Sequence, residues 1–242
     1  MSYPLYRRGA FALLDGSSYP ISYTVGEDYV YFSDGEPRSV DKCERVFSVQ
    51  VYATYRDHKV LVDDVDITGM ARVMEAEWDA GWATENGFVH ESANEYFKTV
   101  DLRDLRNYYE KQNDLLFARW RATHFVRFVE EHPGESDWID SASAVFDGRP
   151  RSGVLSTEDG RMAAVTTRAE YLGYPCEIAG IAADGSVGIY SLGADESRAE
   201  ADGFTLAKNG RWMKAVHIYD LARYHEHHAD LLFDQWREST VY

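Results

Sequence analysis

KTVDLRDLRNYYEKQNDLLFARWR, Lys98–Arg121, returns 116 residues later as KAVHIYDLARYHEHHADLLFDQWR, Lys214–Arg237. Lys98, Val100, Asp104-Leu105, Tyr108, Glu110, Asp114-Leu115-Leu116-Phe117 and Trp120-Arg121 recur without a gap as Lys214, Val216, Asp220-Leu221, Tyr224, Glu226, Asp230-Leu231-Leu232-Phe233 and Trp236-Arg237. The same offset carries Arg45 onto Arg161, Val49 onto Val165, Ala53 onto Ala169, Tyr55 onto Tyr171, Gly69 onto Gly185 and Gly87-Phe88 onto Gly203-Phe204. A gap-free offset held this long marks a duplicated module.

Reading the copies together sharpens each element. Arg45–Tyr55 and Arg161–Tyr171 alternate in strand fashion. Lys59–Val65 and Met70–Ala76 flank a turn at Asp66-Ile67-Thr68-Gly69, and Cys176–Ile181 and Val187–Leu192 flank Ala183-Asp184-Gly185. Apolar runs around such turns read as hairpins, because Gly accepts the positive φ they need. Glu77–Glu85 and Asp195–Ala201 read as short helices stopped by Gly87 and Gly203. Phe88 and Phe204 then open extended stretches, the second turning at Asn209-Gly210. Leu102, Leu105, Tyr109, Leu116 and Trp120 fall at spacings of three, four or seven, so an amphipathic helix is expected from about Asp101, and its twin from about His217. Leu115, Leu116, Phe117 and Trp120 would then pack each closing helix on its own sheet.

The expected fold is α+β: two tandem copies of a small antiparallel β-sheet, curled toward a barrel, each closed by a C-terminal amphipathic helix. Residues 1–129 form the N-terminal module, within which 1–44 read as an abbreviated extra repeat and Thr123–Val129 as a strand. Residues 130–152, with His-Pro-Gly-Glu-Ser-Asp and Asp-Gly-Arg-Pro, read as a linker. Residues 153–242 form the C-terminal module, the duplicate of about 45–121.

The 242 residues are 45% apolar and 14% aromatic, enough for real cores. No apolar run approaches the roughly 20 residues that span a bilayer. The N-terminus lacks the features of a signal peptide, so a cytoplasmic protein is expected. Cys43 and Cys176 do not correspond across the copies and read as free thiols. The net charge of −16 is spread along the chain. Such a field repels phosphates and anionic lipid, so neither nucleic acid nor membrane is expected as a partner.

No Gly-x-Ser-x-Gly elbow, Gly-x-Gly-x-x-Gly or phosphate loop is present. Asp64-x-Asp66-x-Thr68-Gly69, with Glu75 beyond, has calcium-loop spacing, but its flanks read as strands and the second copy offers Gly180, Ala182 and Ser191 instead. His225-Glu226-His227-His228, with His217 nearby, is not the His-Glu-x-x-His spacing of a zinc site. The first copy has Asp101, Tyr109, Lys111 and Gln112 at the four histidine positions, so a solvated His-rich face is expected and no cofactor.

Asp63–Glu85 holds seven acids against one Arg, together with Trp78 and Trp82. The two Trp are four apart, and their counterparts are Ala194 and Arg198, so the module's core does not demand them. Trp rimmed by carboxylates suits a basic protein partner. The expected function is an acidic, intracellular protein-binding module, with an immunity-type inhibitor of a basic toxin as one version. Its expected partner-binding residues are Asp63, Asp64, Asp66, Glu75, Trp78 and Trp82. Two alternatives are a hydrolase or metal-assisted enzyme between the modules, with His217, His225, His227 and His228 as first suspects, and a structural subunit of a larger assembly.

Overall fold

A computed structural model describes residues 6–122, 146, 150–156, 160–193 and 196–239. The first copy contributes β5 (Arg45–Tyr55), β6 (His58–Val65), β7 (Met70–Glu75), α1 (Ala80–Glu85), β8 (Val89–Ser92), β9 (Glu95–Asp101) and β10 (Leu105–Asp114), followed by helix α2, described over 115–122. The second repeats this order as β12 (Met162–Tyr171), β13 (Tyr174–Ile181), β14 (Ser186–Ser191), α3 (Glu196–Ala201), β15 (Thr205–Leu206), β16 (Trp212–His217), β17 (Leu221–Asp230) and α4 (Phe233–Ser239). The offset of 116 survives in three dimensions down to irregularities. The β6–β7 bulge between Val62 and Asp64 recurs in β13–β14 between Ile178 and Gly180. The left-handed residues Asn107 and Arg223, at φ 50° and 51°, kink equivalent points of β10 and β17.

Local chemistry explains the shared elements. Asp66 Oδ1 accepts the N–H groups of Thr68 and Met70 at 2.8 and 3.0 Å, and Gly69 (φ 89°) closes the hairpin. Asp79 caps α1 by accepting Trp82 N–H at 2.9 Å. Phe88 N–H returns to Ala83 O at 2.9 Å across Gly87 (φ 75°), a Schellman ending that recurs at Phe204 and Ala199. The repeated lysines complete it. Lys98 Nζ donates to Asn86 O and Lys214 Nζ to Asp202 O, both at 2.6 Å, on the last carbonyls of their helices.

Two separate modules, each closed by its own helix, are not what forms. Strands make up 55% of the described residues, and they join into one antiparallel sheet. Its hydrogen-bonded order is β8-β9-β7-β6-β5-β10-β17-β12-β13-β14-β16-β15. At the seam, Lys111 of β10 stands opposite His227 of β17, with Glu110 opposite His228 and Gln112 opposite Glu226. Lys111 and His227 are equivalent residues of the two copies, so a pseudo-two-fold axis passes between them. The copies meet as the subunits of an isologous dimer would, inside one chain.

The segment expected to begin the closing helix is instead a strand. Asp101 and His217 cap short 3-10 turns, Leu102–Asp104 and Ile218–Asp220, and β10 and β17 follow. Along β10 Leu105 is buried at its start, and past the irregularity at Asn107 the buried positions are Tyr108, Glu110 and Gln112, a period of two. Only at Asp114-Leu115-Leu116-Phe117 does a helix start, where Asp114 accepts Phe117 N–H at 2.8 Å. Asp230 does the same for Phe233 at 3.0 Å.

These helices are exchanged. Phe233, fully buried in α4, stacks on Tyr108 of the first copy at 4.5 Å and belongs to that copy's core with Val51, Val62, Val73 and Leu105. Phe117 of α2 stacks on Tyr224 of the second copy at 5.0 Å, beside Ile189, Ile218 and Leu221. The expectation that each helix covers its own sheet is thus corrected: the Phe and Trp of the Asp-Leu-Leu-Phe-x-x-Trp-Arg stripe pack in the neighbour's core, while Leu115 packs on the cluster around Ala12 and Val30 and Leu231 is exposed.

Residues 1–44, expected as an abbreviated repeat, contribute β1 (Gly9–Leu14), β2 (Ser17–Ser22), β3 (Tyr29–Phe32) and β4 (Pro37–Ser39). β1 pairs with the edge of β5 that β6 leaves free, Gly9 opposite Val49. In the second copy β11 (Ser152–Ser156) lies on β12 with Gly153 opposite Val165. β1 and β11 are therefore equivalent, at an offset of 144. The strands β2–β4 enclose a third core of Ala12, Val30, Phe32, Val40, Cys43 and Val46. The expected strand Thr123–Val129 and most of the expected linker 130–152 lie outside the described residues, while Ser152 already belongs to β11.

Candidate functional site

The six residues expected to bind a partner do not converge. β6 runs for eight residues, about 26 Å of extended chain, between two ends. Asp63, Asp64 and Asp66 lie toward its hairpin, and Glu75, Trp78 and Trp82 stand near its start. Asp63 is held by Arg8 and Arg72. Asp66 is consumed by its own turn, which holds its carboxyl below the usual range, chiefly through the Thr68 hydroxyl. Glu75 is buried and meets His58 Nε2 at 2.9 Å. Trp82 stacks on His58 at 3.9 Å and packs against Phe88 of the first core. Asp64 and Trp78 remain exposed, and Trp78 is 78% exposed.

The histidines separate too. His217 caps its 3-10 turn, accepting Tyr219 N–H. His225 and His227 lie on the outward face of β17. Burial and the nearby charges of Lys111, Arg168 and Lys59 push His225 down to about 4. Burial, Arg168 and His225 push His227 to about 3. His228 points the other way and meets Glu226 at 2.7 Å. Among the described residues no group of three or more His, Cys, Asp or Glu is placed to hold a metal ion. Cys43 and Cys176 are buried free thiols, and burial raises the Cys176 thiol to about 12.

The densest chemistry lies where the copies meet, on the inward face of the sheet between the two apolar cores. Glu110 receives Arg7 through Nε at 2.9 Å and Nη2 at 2.9 Å, Arg161 Nη1 at 2.8 Å and Gln112 Nε2 at 3.0 Å. Its equivalent Glu226 receives Arg45 Nη1 at 3.0 Å, Arg151 Nε at 2.9 Å and His228 Nε2 at 2.7 Å. The pairing obeys the pseudo-symmetry. Arg45 of the first copy serves Glu226 of the second, its equivalent Arg161 serves Glu110 of the first, and Arg7 and Arg151 precede the equivalent strands β1 and β11. Burial alone would raise both carboxyls, but the Arg7 contacts at Glu110, and His228 with Arg45 at Glu226, hold them below the ordinary range. All four arginines line one cavity of about 440 Å³, with Ser17, Ser18, Leu155 and Met162. A slip of the β10–β17 register would separate each carboxylate from its cations, so the network locks the join.

Spacing rules do not look for this arrangement. Its traces in the chain are the Arg45/Arg161 and Glu110/Glu226 coincidences inside the repeat. Arg7 and Arg151 carry no such mark, because they repeat at a different offset. Comparison with known proteins adds nothing to the geometry: no family model, no curated protein and no solved structure matches this chain.

Proposed function

We propose that the chain is a cytoplasmic binding protein that captures a basic protein partner, with Trp78 at the centre of the contact. The observation that carries this reading is the presentation of Trp78. Its ring is 78% exposed, and its backbone sits at φ 63°, a left-handed conformation that costs about 1–2 kcal/mol for a residue of this kind. Both neighbours are pinned. Glu77 N–H donates to Glu75 Oε1 at 2.5 Å, and Asp79 caps α1. Among the described residues no aromatic stack or side-chain hydrogen bond of the ring offsets the strain, and strained, rigidly held residues cluster at recognition sites. Its neighbours in sequence, Glu77 and Asp79, are both acidic.

Charge supports the same reading. Arg7, Arg45, Arg151 and Arg161 are drawn into the interior, and Arg8, Arg72, Arg103, Arg119, Arg211 and Arg223 are tied to carboxylates of the same chain. The net charge of −16 leaves acids in excess beyond these pairs. Such a surface steers a basic partner, and a buried aromatic then holds it.

The test is affinity capture from the host lysate at low salt with the wild-type chain and Trp78→Ala side by side. The proposal expects one basic protein in stoichiometric amount on the wild type, released by salt and reduced at least tenfold on the variant. Equal capture by both chains, or capture of no basic protein, sinks it. No helix among the described residues is long and apolar enough to cross a membrane.

A further inference from the structure

The outward face of the seam carries a second, opposite chemistry. Residues directly across antiparallel strands share a face, and so do alternate residues along a strand. Lys111 faces His227, which faces Thr166. Two positions on, Asn113 faces His225, which faces Arg168. On the other flank Tyr109 faces Tyr52, which faces Leu61, two residues from Lys59. The rings touch: Tyr52 stacks on Tyr109 at 5.5 Å, Tyr109 meets His227 at 4.2 Å, and Lys59 Nζ lies 4.6 Å over Tyr52.

Two of the cations here have no carboxylate at ion-pair distance among the described residues. Arg223 is paired with Glu170 at 3.0 Å, and the Glu177 carboxylate is taken by Arg211. Lys111 and Arg168 are half-buried, and among the described residues neither has a carboxylate within ion-pair distance; Arg168 Nε donates only to Thr166 Oγ1 at 3.2 Å. Half-buried, these side chains rest their stems on the sheet and leave their charged heads free to meet an anion. The copies have also parted company on this face. The inward positions repeat as Glu110/Glu226, Arg45/Arg161 and Asp114/Asp230. The outward ones read Tyr52/Arg168, Tyr109/His225 and Lys111/His227, so one copy supplies rings and the other supplies Arg and imidazoles.

We infer that this face is a binding site for a small molecule carrying two or more linked phosphate groups, with Lys111 and Arg168 as its anion contacts and Lys59 at its margin. The spacing favours several anionic groups over one. From β6 through β5, β10 and β17 to β12 is four strand intervals, about 19 Å along the sheet. The row of Tyr52, Tyr109 and His227 runs between the cations, an arrangement that accepts an aromatic base beside the phosphates. The chain's overall negative charge does not forbid this, because at physiological salt a charge is felt over about 8 Å and the carboxylates beside the cations, Glu170 and Glu177, are already paired with Arg223 and Arg211. The depressed His225 and His227 sit among Lys59, Lys111, Arg168 and Arg223, with Tyr52, Tyr109, Glu77, Glu170, Glu177 and His228 as the other titratable neighbours. Burial is the larger cause of their neutrality, and an anion placed there relieves the second cause, repulsion from the cations.

The experiment is calorimetric titration of the full chain with pyrophosphate, with ATP and with adenosine at constant ionic strength, followed by imidazole nitrogen NMR across pH with and without pyrophosphate. The inference expects saturable binding of pyrophosphate or ATP, none of adenosine alone, and upward movement of the His225 and His227 titrations by at least half a pH unit. Lys111→Gln and Arg168→Gln each weaken binding at least tenfold, while Arg103→Gln, on the exposed pair with Asp101, leaves it unchanged. Pyrophosphate binding equal to that of ATP identifies the phosphates as the recognised group; tighter ATP binding adds the base. No saturable binding of either, or binding undiminished in the Lys111 and Arg168 variants, overturns the inference. The NMR arm needs no variant and decides the matter if one fails to fold.

Discussion

Replacing Phe233 with Ala removes a ring from α4 of the second copy, yet the damage falls on the first. Phe233 is 1% exposed, stacks on Tyr108 at 4.5 Å, and packs within the cluster that holds Val51, Val62, Val73 and Leu105. A buried Phe→Ala change costs about 3–5 kcal/mol through lost transfer energy and the cavity left behind. The stacked pair with Tyr108 adds about 0.5–1.5 kcal/mol. At about 2–4 °C per kcal/mol for a chain of this size, the melting midpoint falls by roughly 7–26 °C. Calorimetry gives the midpoint, and hydrogen exchange resolved by segment gives the location. Protection drops in β5, β6, β7 and β10, and less in β12, β13 and β14. Phe117→Ala gives the mirror result, loosening β12–β14 around Tyr224. If Phe233→Ala loosens the second copy and spares the first, the exchange of helices is refuted.

Glu226→Gln leaves Arg45 and Arg151 sharing a buried neutral amide, and breaking a buried pair in this way costs about 3–5 kcal/mol; denaturant unfolding measures it, and an effect below about 1 kcal/mol would show the network is idle. Glu110, Glu226, His225 and His227 act on stability with one sign, and Asp114, whose carboxyl burial raises, acts with the other. Glu110 and Glu226 titrate lower folded than unfolded, so their contribution is present above their ordinary carboxyl range and is lost as pH falls through it. His225 and His227, pushed to about 4 and about 3 from 6.5, take up protons more readily when unfolded, so they too withdraw stability as pH falls below about 6.5. Chemical denaturation between pH 8 and 3 therefore shows a net decline beginning near 6.5, and replacing both histidines with Gln removes its upper part. Gly185→Ala sets a Cβ 2.7 Å from His217 Nε2 at φ 82°, so it costs more than about 1 kcal/mol, whereas Gly210→Ala meets open space and bears only the backbone strain; thermal melting of the two variants ranks them.

Much of this fold is legible in one dimension, because each copy annotates the other. The hairpin at Asp66–Gly69, the short helices ending at Gly87 and Gly203, and the turn at Asn209-Gly210 all appear where turn chemistry puts them. The strand β10 is hidden by its function in the join. Its inward positions after Tyr108 are Glu110 and Gln112, so the period of two is written partly in polar residues. Leu102 and Leu105, which belong to a 3-10 turn and the strand start, complete a false helical spacing instead. The exchange of α2 and α4 is illegible for a different reason. An apolar stripe says that a helix must be covered, and two copies of one core present the same cover. The binding residues expected in Asp63–Glu85 sit on one stretch of chain, but a strand of eight residues carries its ends far apart. The seam site draws on β1, β5, β10, β11, β12 and β17, and no window along the chain contains it.

The measurement that tests the central claim most directly is a nuclear Overhauser map of the contacts between residues 109–113 and 225–229. A fused two-fold sheet predicts cross-strand backbone contacts joining Tyr109 to Ala229, Lys111 to His227 and Asn113 to His225, or the alternate pairs between them, with Phe233 ring contacts to Tyr108. Contacts confined to each copy, with β10 and β17 as separate edges and Phe233 against Tyr224, would contradict it.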